Sequence, residues 1–299
     1  MNKKSLLLVL TGYVIWGLLP LYWAMLSTFD ALFILATRMV WSAILTFLLL
    51  VILKKLPALK ALIADKQKMK FLVPAAFVIT INWGVYIWSV SSGFVMDASL
   101  GYYMNPLAVF LCGIFVFKEK CGKLELFALV LAFLGVAFST FQYGKFPFIA
   151  LTLAISFAVY GILKKFAHAD ALCAICTETL LVTPFALLFL LFSPVSAQAF
   201  ASMTTPLLLL CICTGVATAL PMTLYSQGVN HLPFVTMGFL QYISPTLMLF
   251  IGLFQGEPFS LEQGICFGFI WAGLTLFTIG MVRRHKAENA AQRTDEQPV

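Results

Sequence analysis

Charged side chains are scarce in this sequence. Asp, Glu, Lys and Arg together make up 10% of its 299 residues, against about 25% in a soluble domain. With 62% apolar or aromatic residues and a mean hydropathy of +0.98, a soluble fold is excluded and a membrane protein is expected. Histidine is rarer still: His168, His231 and His285 are the full set. All three fall near the ends of apolar runs, and none has metal-ligand spacing or forms a base beside a nucleophile. An enzyme is therefore not expected, and catalytic residues, metal ligands and cofactors are each read as none. A Walker A lysine motif is also missing, which excludes the usual nucleotide-driven pump. The seven cysteines are odd in number and fall almost wholly in apolar runs, so they do not form a disulfide framework. Cys173 and Cys176 have the spacing of half a zinc site but lack the other half. The N-terminal apolar run is too long for a signal-peptide core and ends without a small-residue cleavage site.

What the sequence does have is long uncharged stretches. A bilayer-crossing helix needs roughly 20 apolar residues. Ser5 to Phe29, Phe71 to Met96, Ala98 to Phe117, Leu126 to Gly144 and Phe146 to Leu163 contain no acid or base, and Ala31 to Leu53 contains only Arg38. Residues 171–256 hold three spans, separated at "SPVSAQAFASMTTP" (193–206) and "VNHLP" (229–233), and Gly264 to Val282 is the last. The expected fold class is thus an all-α polytopic membrane protein with ten spans. With the N-terminus inside, 17 of the 19 basic residues fall in inside segments, Lys145 alone outside and Arg38 alone within the membrane. This bias sets the orientation, with both termini cytoplasmic. It also assigns the net charge of +7 to the membrane face, so nucleic acid is not an expected partner. The polar tail, 283–299, is expected to be disordered.

The chain repeats itself. "YYMNPLAVFLCGIFVFKEKCGKLELF" (102–127) resembles "LQYISPTLMLFIGLFQGEPFSLEQGI" (240–265). Tyr103 matches Tyr242, Pro106 matches Pro245, Gly113 matches Gly252 and, with a slip of one, Glu119 matches Glu257. "YVIWG" (13–17) matches "FAVYG" (157–161), and "ALFILATR" (31–38) matches "ALCAICTE" (171–178). Two halves follow, 1–143 and 147–282, with 283–299 as a tail. Each half has an odd number of spans, so the second enters the membrane from the opposite side. Such inverted repeats characterise secondary transporters, with the substrate site near the midplane.

On these motifs the chain resembles the EamA family of the drug/metabolite transporter superfamily. "IWGLLPLYW" (15–23), "RMVWS" (38–42), "NWGVYIWSV" (82–90), "DASLGYYMNPL" (97–107), "FAVYGILKK" (157–165), "ETLLVTP" (178–184) and "GFLQYISPTLM" (238–248) are similar, in order, to the RarD group within it. Ser244 departs from the pattern by standing where the first half has Asn105. The resemblance implies a bacterial inner-membrane permease that exports or exchanges a small metabolite or drug-like solute by alternating access. It leaves the solute open. The alternative is a non-transporting membrane scaffold or receptor. The expected partners are a small molecule, the lipid bilayer and protons.

Polar residues inside the spans mark faces that do not meet lipid. Asn82, Tyr86 and Ser89 share one helix face, as do Thr214, Thr218, Pro221 and Tyr225. Tyr102, Tyr103 and Asn105 precede one repeated proline region, and Gln241, Tyr242 and Ser244 the other. Trp16 and Tyr160 are repeat-matched. The candidate cavity is therefore Trp16, Asn82, Tyr86, Tyr102, Tyr103, Asn105, Tyr160, Tyr225, Gln241 and Tyr242. Helix–helix contact serves these same residues equally well. Aromatic walls suit an amphipathic aromatic or amino-acid-like solute. Trp23 and Trp271 read as interface anchors or packing.

Arg38 and Glu178 are repeat partners of opposite charge. Arg38 lies roughly 9 Å in from the outer end of its span at 1.5 Å per residue, and Glu178 as far from the inner end of its own. In a core about 30 Å thick their depths differ by roughly 12 Å. The expectation is two separate gating charges, outer and inner, rather than a direct ion pair; the plainer alternative is an outward-snorkelling arginine and an inert glutamate.

Overall fold

The structure is a computed structural model that describes residues 3–92, 94–256 and 260–295. It is built from helices: α1 (Lys3–Ala24), α2 (Ala31–Ile52), α3 (Leu56–Ala64), α4 (Lys66–Ser91), α5 (Val95–Phe115), α6 (Lys123–Tyr143), α7 (Phe148–Ala167), α8 (Ala171–Phe192), α9 (Pro194–Ala201), α10 (Thr205–His231), α11 (Phe234–Gln241), α12 (Ile243–Phe254) and α13 (Leu261–Asp295). Taking α11 and α12 as one broken span, ten spans are long and apolar enough to cross a membrane, as the uncharged stretches predict. The short α3 and α9 occupy expected loops. Each begins with a proline in its first turn, and Ser193 caps α9 by accepting from Val195 N–H, which is favoured helix-start chemistry.

Two boundaries differ from expectation. The tail read as disordered continues α13 as helix to Asp295; its Arg, Lys, Ala, Glu and Gln residues are strong helix formers. The repeated prolines act unequally: α5 runs through Pro106 unbroken, whereas its counterpart breaks at Tyr242 into α11 and α12.

The halves do not form separate bodies. Helix α1 packs on α10 and α12, α2 on α8 and α10, α4 on α7 and α8, α5 on α7 and α11, and α6 on α13. Exchanging α1 with α7, α2 with α8, α4 with α10, α5 with α11–α12 and α6 with α13 turns each of these contacts into another of them or into itself. One close crossing is that of α5 on α11. A Cβ on Gly238 would lie 2.7 Å from both Phe110 N and Pro106 O, and one on Gly113 would lie 2.7 Å from Val235 N. The two backbones touch there, and only glycine permits it.

Gly238→Val therefore forces the α5–α11 crossing apart. The expected loss is about 1–3 kcal/mol, seen as a lower unfolding midpoint for the detergent-solubilised protein. Gly268→Ala, where nothing lies within 4 Å of the added carbon, should leave the midpoint unchanged.

Candidate functional site

Six spans enclose a cavity of about 420 Å³. Its walls include Trp16 and Trp23 late in α1, Ile34 and Arg38 early in α2, and Asn82, Trp83 and Tyr86 late in α4. Tyr102 and Asn105 early in α5, Phe157 in α7, and Gln241, Ser244 and Met248 at the α11–α12 break add to them. Because successive spans alternate in direction, Trp23, Ile34, Tyr86 and Tyr102 fall away from the lysine-rich helix ends, while Asn105, Phe157 and Gln241 lie near the middles of their spans. Aromatic rings make the floor. Trp16 meets Tyr13, Phe157 and Tyr225 at centroid distances of 5.7, 6.1 and 5.7 Å, and Tyr225 stacks on Tyr160 at 6.1 Å.

Arg38 is the charged group of the described cavity wall. Its guanidinium lies 4.9 Å from the Trp23 ring centre and 4.4 Å from that of Trp83, and Nε donates to Thr218 Oγ1 at 2.9 Å. Two indole faces and one hydroxyl thus stabilise a permanent cation at depth. Among the described residues no carboxylate lies within ion-pair distance of it. Thr218 also lines a second, water-sized void of about 20 Å³ together with Thr80, Glu178 and Thr179. Thr218 and Trp83, both in contact with Arg38, thus line the same small void as Glu178.

Glu178 is paired elsewhere. Its Oε1 accepts from Lys164 Nζ at 2.6 Å and its Oε2 from Tyr160 OH at 3.0 Å, with the two charged side chains only 3% and 4% exposed. Lys164 counts as a surface lysine in the sequence; the structure buries it one turn from Tyr160 on α7. Glu178 therefore has a partner within its own half, which the Arg38–Glu178 comparison overlooks.

At the lysine-rich end, contacts join the two halves. Glu119, after α5, accepts from Lys165 Nζ at 2.7 Å and from the backbone N–H groups of Phe234 and Val235 at 2.7 and 2.8 Å. Those two N–H groups open α11, where a helix lacks internal acceptors and favours an anion. Lys55 pairs with Asp170 at 3.0 Å, and Asp170 also accepts from Cys173 N–H to cap α8. Burial pushes the Asp170 carboxyl up, but the Cys173 N–H and the Lys55 ammonium outweigh it and hold it below its ordinary value. Glu257, the repeat partner of Glu119, lies outside the described residues.

Of the ten expected cavity residues, Trp16, Asn82, Tyr86, Tyr102, Asn105 and Gln241 line the cavity. Tyr103, Tyr160, Tyr225 and Tyr242 do not. Tyr103 lies about 100° round the helix from Tyr102 and is turned away from the cavity. Tyr103 packs on Phe267, and Tyr242 OH donates to Tyr103 O at 3.3 Å. Tyr160 and Tyr225 lie beneath the floor. Trp23, read as an interface anchor, instead belongs to the wall and holds Arg38. Trp83 was missed, although its place beside Asn82 was a usable signal. Trp271 is a packing residue, stacked on Phe250 at 5.9 Å.

The family model described as EamA-like transporter family matches residues 3–141 and 145–279. The chain is 41% identical over 294 residues to the uncharacterized transporter YojE of Bacillus subtilis, covering 97% of this chain and 98% of the relative. It is 33% identical to protein RarD of Escherichia coli, covering 94% and 96%. With the chloramphenicol-sensitive protein RarD of Pseudomonas aeruginosa it shares 31%, covering 92% and 93%. A crystal structure of another protein, 16% identical, superposes with a TM-score of 0.73 over 95% of this chain and 99% of the other, and so shares the fold.

The Lys164–Glu178 pair makes a stability prediction. Lys164→Met leaves a buried carboxylate uncompensated and should cost about 3–5 kcal/mol, lowering the unfolding midpoint and the yield of folded protein. Lys164→Met joined to Glu178→Leu should recover most of that loss. A double variant as unstable as the sum of its singles would show that the pair does not act as a unit.

Proposed function

Because the chain belongs to the EamA-like transporter family, we propose that this membrane transporter is a secondary permease working by alternating access. It moves a small metabolite or drug-like solute across the bacterial inner membrane. The carrying observation is the cavity's asymmetry. It is built by both halves, opens away from the lysine-rich end and is sealed at that end by Glu119 on α11. With the lysine-rich end cytoplasmic by the charge bias, this is an outward-facing state. The two-fold pattern of helix contacts supports a rocking motion in which one end opens as the other closes. Export is the direction the family resemblance implies.

Arg38 on the cavity wall and Glu178, paired with Lys164, remain in this reading separate charges of the outer and inner sides. Proton coupling assigns the proton to Glu178, whose carboxylate must then part from Lys164 during the cycle. Exchange without protons is favoured instead by how completely Lys164 and Tyr160 satisfy that carboxylate.

Flux tests the reading directly. Purified protein in liposomes should exchange internal labelled solute for external solute, and empty vesicles should not. Collapse of the pH gradient in everted vesicles should abolish accumulation if Glu178 carries a proton and leave it untouched under exchange. Gating has its own test, in a background without the native cysteines. Ile34→Cys should react with a thiol reagent added outside, and Glu119→Ala, by removing the inner seal, should slow that reaction several-fold. Unchanged labelling would remove Glu119 from the gate.

A further inference from the structure

We propose, on the reading of the cavity as a transport site, that its ligand is a small aromatic carboxylate bearing a hydrogen-bond donor, as in an aryl hydroxy acid or an aryl amino acid. Charge decides the first feature. Arg38 brings a permanent positive charge to the described wall, no described carboxylate lies within ion-pair distance of it, and its hydrogen bond to Thr218 uses Nε. The terminal nitrogens of a guanidinium form a planar fork that matches a carboxylate. Trp23 and Trp83 set their rings against the guanidinium carbon at 4.9 and 4.4 Å, and such ring contacts do not use up the hydrogen-bonding capacity of the terminal nitrogens. A cationic solute would meet like charge in a poorly hydrated space.

The second feature comes from two amides. Asn105 and Gln241 line the cavity at 8% and 7% exposure, and Asn105 Oδ1 and Gln241 Oε1 are buried without a hydrogen-bond partner. An unsatisfied buried acceptor costs about 1–3 kcal/mol, so a wall carrying two of them is complementary to a donor. Each amide turns about one terminal bond, which brings its oxygen to an ammonium or hydroxyl. Asn105 and Gln241 stand on α5 and α11, so one donor group would engage both halves at once. The third feature is the body between. Trp16, Tyr86, Tyr102 and Phe157 supply flat apolar walls, which suit a ring by stacking or edge contact.

A matched set of phenyl compounds separates these features by titration calorimetry on the full chain in lipid nanodiscs. The probes are 3-phenyllactate, phenylalanine, 3-phenylpropanoate, phenylalaninamide and 2-phenylethylamine. The first two should bind; 3-phenylpropanoate, lacking the donor, should bind about 10-fold more weakly, and the two cations at least about 100-fold more weakly. Arg38→Gln should abolish the preference for anions over cations. Asn105→Leu joined to Gln241→Leu should bring 3-phenyllactate and 3-phenylpropanoate to equal affinity while anions stay preferred. Cations binding as tightly as carboxylates in the unmodified protein overturn the proposal, whatever the variants do. So does the absence of saturable binding by either donor-bearing carboxylate at about 10 mM, a weak limit on the affinity scale. Carboxylate binding with no flux of any of these compounds in liposomes sinks the transport reading and leaves the ligand class standing. Flux of a solute of another class, without carboxylate binding, does the reverse.

Discussion

Hydrocarbon offers no hydrogen bond and no counter-charge, so every charge taken into it must be met from within the protein. This chain takes in few. Lys164 and Glu178 meet each other, with Tyr160 completing the carboxylate. Arg38 meets two indole rings and a hydroxyl instead. The different solutions mark different tasks. A neutral buried pair is self-contained and can serve as structure. A cation held by π faces keeps its charge at the wall of an open space, and the placing of Trp23 and Trp83 serves to keep it there.

The same constraint explains which parts of the molecule were legible in the sequence. Ten spans, their order and the repeat are written in uncharged runs and recurring motifs, because the bilayer enforces length and composition directly. Of the ten residues expected there, six line the cavity; helix-face spacing points to Asn82 and Tyr86, the repeat match to Trp16, and the repeated prolines to Tyr102, Asn105 and Gln241. The failures have a common cause. Adjacent residues such as Tyr102 and Tyr103, or Gln241 and Tyr242, belong to different faces, and no span-level pattern says which one looks inward. Lys164 read as a surface charge because it stands beside Lys165 near a helix end; only the packing of α7 on its neighbours shows that it is buried. Trp23 sits at the depth where tryptophans commonly anchor a helix in the interface, and its role under Arg38 depends on a contact from α2.

Glu119 shows how irregular backbone can be put to use. Breaking the ninth span from its predecessor at Pro233 creates a fresh helix start with exposed N–H groups. A carboxylate from the other half then occupies that start, while Lys165 balances its charge. One side chain thereby ties three segments, and it does so with groups that water can readily satisfy if the contact opens. A seal of hydrogen bonds and ion pairs at a wettable end is easier to reverse than one made by interdigitated apolar side chains.

The interlocked contacts of the two halves also bear on how the protein comes into being. Helix α1 packs on α10 and α12, and α2 on α8 and α10. During synthesis the first two spans enter the bilayer long before those partners exist. They must wait as separately stable, lipid-surrounded helices, with Arg38 in a membrane that does not yet contain Thr218. Docking of α1 is therefore a late event that begins once the eighth and ninth spans have been inserted. The arginine spends the interval without the surroundings that later hold it.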